Sequence, residues 1–194
     1  MNTPITYIEN YFGINDVNIR AISGDVVSAF DLVKDEATWE QRDAPRKECF
    51  MSDRTDSYTY GSGNGIRTYY PIAYPKPGIV YTIKSKLEKD YACKFEACFL
   101  NYYEGPRDHL GWHADDSDVI DPTRPIAVIS LGSAREIWFR EKGSKGAEAI
   151  EKQLLASGSL LLMHAGMQQT HEHRIPKHGA NCAARISLTF RGLK

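Results

Sequence analysis

The strongest constraint on this chain lies in its second half, which is written as short apolar runs with no helical stretch between them. FEACFLNYY (95–103), RPIAVISLG (124–132), EIWFRE (136–141), GSLLLMH (158–164) and ARISLTFR (184–191) are separated by clusters of Gly, Pro, Asp and Ser. Many short strands divided by turn residues predict a sandwich or jelly roll. The last run alternates most cleanly. Ile186, Leu188 and Phe190 fall on one face, and Arg185, Ser187, Thr189 and Arg191 on the other, so the first face is core and the second strongly polar.

The first half reads differently. Val26, Phe30 and Val33 stand at helical spacing within 25–39, and Val80, Ile83 and Leu87 repeat the pattern behind Pro75 and Pro77, predicting two amphipathic helices. The segment between them, 52–77, is rich in turn residues but also in tyrosine, and it reads as a functional loop region rather than a linker. The fold class expected is mostly β with flanking helices. At 194 residues and 42% hydrophobic, the chain fits one compact domain, with 1–94 holding the helices and loop region and 95–194 the β core.

Composition narrows the function classes. The 24 Lys and Arg stand against 25 acidic residues, which argues against a tight duplex binder and leaves room only for a local basic rim. Cys49, Cys93, Cys98 and Cys182 show no paired spacing, so neither structural zinc nor a disulfide framework is expected. No apolar run has the length of a signal peptide or membrane span. A cytoplasmic monomer, or a nuclear one in a eukaryote, is the expectation.

GWHADD (111–116) places His113 and Asp115 two residues apart, so on an extended backbone both side chains point the same way and can share one ion. A second imidazole must come from elsewhere, and His164, His171, His173 and His178 are all candidates by position. Two histidines and one carboxylate leave coordination sites open for a 2-oxo acid and dioxygen, as a closed zinc site does not. An HxD pair alone is usually a surface turn, and the run Asp115, Asp116, Asp118 does not match the EF-hand spacing. Independent support comes from Arg185 and Arg191, whose planar forks suit a carboxylate. Asn101 and Tyr103 share a strand face upstream and offer an amide and a phenol to the same small anion.

NYYEGPRDHLGWHADD (101–116), PIAVISLGSAREIWF (125–139), HRIPK (173–177) and RISLTFR (185–191), in that order, resemble the AlkB family of Fe(II)- and 2-oxoglutarate-dependent DNA and RNA dealkylases. The resemblance covers 95–191. It implies a double-stranded β-helix with an N-terminal nucleotide-recognition lid. Fe(II) would be held by His113, Asp115 and His173, with His171 as the other candidate for the third ligand. Arg185 and Arg191 would take the 2-oxoglutarate carboxylates, assisted by Asn101 and Tyr103, with O2 as co-substrate. Family members commonly carry asparagine where this chain has Ser187, and a serine still donates one hydrogen bond.

PRKECFMSD (45–53) followed by SYTYG (57–61) is similar to the family's lid, in which an aromatic ring stacks on the extracted base. Tyr60 is the first candidate for that ring and Tyr58 the second; the alternative is that both pack the lid on the barrel. Asp116 matches an acidic position that faces the exocyclic amine of the damaged base. Arg46, with Lys47, Arg107 and Arg135, would form a phosphate rim. The activity implied is oxidative removal of N-methyl groups from bases such as 1-methyladenine and 3-methylcytosine in DNA or RNA, releasing formaldehyde, succinate and CO2. WEQRDAP (39–45) lacks the apolar finger that opens a duplex, so single strands are the expected substrate. The rival readings are a hydroxylase of the same iron type with a non-nucleic-acid substrate, and a nucleic-acid-binding module without catalysis.

Overall fold

The computed structural model describes residues 3–12, 18–20, 26–60, 66–146 and 150–194. Strands are numbered along the chain. β1 (Ile5–Ile8), β4 (Glu40–Gln41), β5 (Lys47–Ser52), β8 (Ala97–Tyr103), β10 (Ile126–Gly132), β13 (Ser159–Met163) and β15 (Arg185–Arg191) form one antiparallel sheet in the order β1-β13-β10-β15-β8-β5-β4. A smaller sheet of β9 (Leu110–His113), β11 (Arg135–Glu141), β12 (Glu151–Leu155) and β14 (His171–Ile175) runs β12-β11-β14-β9. Two hairpins complete the β structure: β2 (Asn18–Arg20) with β3 (Val26–Ser28), and β6 (Tyr58–Tyr60) with β7 (Arg67–Tyr69).

The helices cover the outer face of the large sheet. α1 (Ala29–Glu36) starts where Ser28 Oγ accepts from the Asp31 N–H at 3.1 Å, with Asp31 in the first turn. A side-chain cap of this kind stabilises a helix by about 1 kcal/mol. Glu36, at the end of α1, then accepts from the N–H groups of Ile79 and Val80 at 2.7 and 3.1 Å and so caps α2 (Ile79–Tyr91). This approach requires the glycine before α2, because a Cβ on Gly78 would meet Pro75 O at 2.5 Å and Glu36 Oε2 at 2.7 Å. Val33, Val80, Ile83 and Leu87 pack on Cys49, Met51, Leu100, Ile186, Leu188 and Phe190. Each fully buried aliphatic in that layer contributes about 2 kcal/mol.

Inside the barrel, Val128, Leu161 and Met163 from the large sheet meet Ile137, Phe139 and Ile175 from the small one. The central strands of the large sheet are therefore covered on both faces, and every residue of β8, β13 and β15 is buried. That double burial explains why β8 and β13 carry no charged residue. It also moves the polar face of β15 from the surface to the space between the sheets.

Three sequence expectations change. The helix expected over 25–39 begins at Ala29, because Val26–Ser28 is extended and Ser28 is its cap; Asp25 lies outside the described residues. KECFMS, expected in the lid, is a full strand of the large sheet, paired with β8 from Lys47↔Tyr102 to Ser52↔Ala97. With β1 and β4 in that sheet as well, the β core draws on chain on both sides of residue 95. Of the segment expected to form the lid, Tyr58–Tyr60 is β6, which pairs with β7 and packs Tyr58 and Tyr69 on Phe50 and Phe99. Among the described residues, no helix is long and apolar enough to cross a membrane.

Candidate active site

The site is built at the end of the small sheet nearest the lid. β14 and β9 pair antiparallel with His173 directly across from His113, and a register shift follows between His173 and Ile175. Directly paired residues share a sheet face, and the two imidazole centroids stand 4.2 Å apart. Asp115 follows the end of β9 by two residues and stands beside them. One ligand atom from each of His113, Asp115 and His173 lies within 4.8 Å of the others. Of the four histidines that spacing left open, pairing brings His173 beside His113. His171 contacts Thr170 Oγ1 through Nδ1 at 2.8 Å, His164 contacts Thr6 Oγ1 through Nε2 at 2.9 Å, and the ring of His178 lies against Ala180 O. None of the three joins the cluster.

The surrounding contacts prepare the three groups to ligate. His113 Nδ1 lies 2.9 Å from Gly111 O, a contact that calls for a proton on Nδ1 and turns the lone pair of Nε2 inward. Nε2 stands 3.9 Å from Asp115 Oδ1. The Asp115 N–H donates to Gln168 Oε1 at 2.9 Å, and its Oδ2 accepts from Arg191 Nη2 at 2.8 Å. Burial alone would raise the Asp115 carboxyl, but the Arg191 guanidinium and the two imidazoles outweigh it and hold it below the usual range. Burial lowers both imidazoles, and His173, beside His113, falls to about 3. A charged carboxylate and two neutral imidazoles are the protonation states that bind a metal. Asp115 Oδ1 and His173 Nδ1 are buried with no hydrogen-bond partner among the described residues. Such groups fit a cation at their centre.

The 2-oxoglutarate candidates lie on the adjoining inner face of the large sheet. In the β15–β8 register Arg185 stands opposite Tyr103 and Ser187 opposite Asn101, and all four are buried. Arg185 is fully buried, and its Nη2 donates to Ser130 Oγ at 2.8 Å. Its Nε and Nη1 have no hydrogen-bond partner among the described residues. No carboxylate pairs with it there, and burial brings the guanidinium down to about 10. A buried guanidinium with donors to spare fits an incoming diacid. Arg191 is shared between Asp115 and the ring faces of Tyr58 and Phe99, each 5.8 Å from its guanidinium carbon.

The base-pocket candidates divide. Tyr58 is 3% exposed and lines a small pocket together with Arg46, Phe99, Asn101, His113, Asp115 and Arg191. The side chain of Tyr60 lies outside the described residues. Asp116 is exposed, and its Oδ2 accepts from Lys142 Nζ at 2.8 Å.

Two arginines expected on the phosphate rim are interior. Arg46 is 8% exposed and donates to Asn101 Oδ1, Glu48 Oε1 and His109 O. Arg135 is 1% exposed and holds the carbonyls of Asp108 and Pro176, its guanidinium 5.6 Å from the Tyr103 ring centroid. Of the other rim candidates, Arg107 is exposed and Lys47 pairs with Glu104 at 2.9 Å. Sequence reading did not find Ser130, Gln168 or Glu48. The polar Ser130 inside the apolar run IAVISLG was the available signal for the first; nothing in the sequence marks the other two.

Comparison with known proteins agrees with this geometry. The profile of the 2OG-Fe(II) oxygenase superfamily matches residues 18–191. The human protein "DNA oxidative demethylase ALKBH2" is 32% identical over 154 residues, covering 76% of this chain and 56% of its own length. The mouse "Alpha-ketoglutarate-dependent dioxygenase alkB homolog 3" is 30% identical over 119 residues, covering 58% of this chain and 42% of its own length. The chain thus spans about half the length of these relatives. The solved structure described as "The structure of OsALKBH1" superposes with a TM-score of 0.64 over 99% of both chains at 15% identity, a likeness of fold. A jelly roll, a His-Asp-His cluster beside a buried arginine, and a profile match over most of its length show that this chain belongs to the 2OG-Fe(II) oxygenase superfamily, homologous to its AlkB-type members.

Proposed function

We propose that this protein removes N-methyl groups from nucleic-acid bases such as 1-methyladenine and 3-methylcytosine, acting on single-stranded DNA or RNA as a monomer in the cytoplasm or nucleus. One observation carries the reading. Tyr58, on the hairpin that follows the expected lid segment, lines the same pocket as the candidate ligands His113 and Asp115, so a base brought against that hairpin is next to the metal position.

When bound, Fe(II) with 2-oxoglutarate and O2 supplies hydroxylation of the methyl group, which yields formaldehyde, succinate, CO2 and the repaired base. His113, Asp115 and His173 hold the metal, and Arg191 keeps the Asp115 carboxylate ionised and oriented. Arg185 receives a carboxylate of the co-substrate, with Tyr103, Asn101 and Ser187 beside it. Burial of these groups keeps bulk water from the reacting centre. Asp116, next in the chain to Asp115, has an exposed carboxylate paired with Lys142 and is the candidate acceptor for the exocyclic amine of a base. Tyr60 and Tyr58 on the lid hairpin are the stacking candidates. The segment 39–45 carries no apolar wedge, so opening a duplex, at a cost of a few kcal/mol, falls to the substrate itself.

The test is formaldehyde release from matched single-stranded and duplex oligonucleotides carrying one methylated base. Formaldehyde in step with succinate, faster on single strands, is the expected result. Succinate without formaldehyde points to a different class of substrate, and faster duplex turnover removes the single-strand preference.

A further inference from the structure

Asn101 belongs to a buried chain of hydrogen bonds that leads away from the metal to the lid. Its Oδ1 accepts from Arg46 Nε at 2.6 Å. Arg46 Nη2 donates to Glu48 Oε1, also at 2.6 Å, and the hydroxyl of Tyr69 donates to Glu48 Oε2 at 2.8 Å. Arg46, Glu48, Tyr69 and Asn101 are 8%, 1%, 4% and 5% exposed. Arg46 and Asn101 line the cavity that holds His113 and Asp115; Glu48 and Tyr69 do not.

A guanidinium offers only donors, whereas an amide offers an acceptor on one side and donors on the other. Arg46 therefore fixes which way round the Asn101 amide sits. The oxygen is taken by Arg46, and the NH2 is what Asn101 presents to an anion in the cavity. Glu48 neutralises Arg46 and fixes its fork, and Tyr69 anchors Glu48 from β7, a strand of the lid hairpin.

We propose that Arg46, Glu48 and Tyr69 are positioning residues that set the polarity of the Asn101 amide and make retention of 2-oxoglutarate depend on the docking of the lid hairpin. The proposal rests on the reading that Asn101 donates to 2-oxoglutarate.

The experiment measures 2-oxoglutarate affinity by calorimetry on the Mn(II)-loaded protein without turnover, alongside Mn(II) affinity and melting temperature. Tyr69→Phe, remote from the cavity, is expected to weaken 2-oxoglutarate several-fold. The double variant Arg46→Met/Glu48→Met, which strands no buried charge, is expected to weaken it about tenfold, one hydrogen bond's worth, with Mn(II) affinity unchanged. The sharpest comparison is at Asn101. Asn101→Asp keeps the acceptor for Arg46 but turns an acceptor instead of a donor to the anion, so it should bind 2-oxoglutarate more weakly than Asn101→Ala. The opposite order, aspartate binding more tightly than alanine despite its added charge, overturns the proposal. Unchanged affinity in both Tyr69→Phe and the double variant, while Asn101→Ala is impaired, overturns the positioning role and leaves the co-substrate site standing. Unchanged affinity in Asn101→Ala itself removes the underlying reading together with the proposal.

Discussion

Replacing Arg185 with methionine should make the protein more stable by itself and blind to 2-oxoglutarate. The guanidinium is fully buried, two of its nitrogens have no hydrogen-bond partner among the described residues, and the third donates to Ser130 Oγ. Exchanging buried charge for apolar side chain of similar volume gains about 1–4 kcal/mol. Against this stand the lost Ser130 bond, about 1 kcal/mol, and the contact with the Tyr103 ring, whose centroid is 5.3 Å away, about 0.5–1 kcal/mol. The balance runs from about −1 to about +2.5 kcal/mol and centres on a gain of about 1 kcal/mol, or ~2–4 °C in melting temperature for a domain of this size. With 2-oxoglutarate at a hundred times its Kd, the native protein gains about 2.7 kcal/mol, roughly 5–10 °C, and the variant gains nothing. Thermal melts of the Mn(II)-loaded proteins with and without 2-oxoglutarate read both numbers. If Arg185→Met melts lower than the native protein without 2-oxoglutarate and still shifts upward with it, Arg185 is a structural arginine and the clamp lies elsewhere.

Asp115→Ala should lower Mn(II) affinity at least about tenfold and abolish iron-dependent succinate formation; retained succinate formation refutes the metal cluster. Gly132→Ala should cost about 2 kcal/mol or more in urea unfolding, because φ is +86° and the new Cβ would meet Ala184 O at 2.5 Å; a neutral substitution shows that the turn after β10 yields. Glu88 lies 2.8 Å from Lys84 Nζ, which also pairs with Asp53. Burial raises the Glu88 carboxyl, but Lys84, the Phe95 N–H and Lys94 together hold it below the usual range. Its stabilisation is therefore complete above the unfolded pKa of about 4.3 and lost as pH falls through the lower folded value. Glu88→Gln should cost about 1 kcal/mol near neutrality and progressively less below about pH 4; a constant difference across that range refutes the linkage.

How far the sequence could be read depended on what buries each residue. β15 alternates because one face meets the helices and the other meets polar partners inside the barrel, and alternation survives in the sequence even when both faces are buried. His113 and Asp115 were legible because two residues on an extended backbone share a side. The third candidate ligand was not, because His173 is brought to the cluster by its cross-strand partner, and pairing register is a property of two distant segments. β5 was hidden for a related reason: its charged Lys47 and Glu48 sit inside a sheet whose neighbours supply their counter-charges. The interior places of Arg46 and Arg135 were equally unreadable, since an arginine carries no mark of whether carbonyls, carboxylates or water will surround it.

The position of β15 has a consequence for how the protein comes into being. The strand that carries both candidate clamp arginines is the last of the large sheet along the chain, yet it lies in the middle, hydrogen-bonded to β10 on one side and β8 on the other. Until the ribosome has released residues 185–191, those two neighbours have a gap between them. A nascent chain that already carries all three candidate metal ligands therefore still lacks both candidate clamp arginines, which take their places only when this strand is inserted.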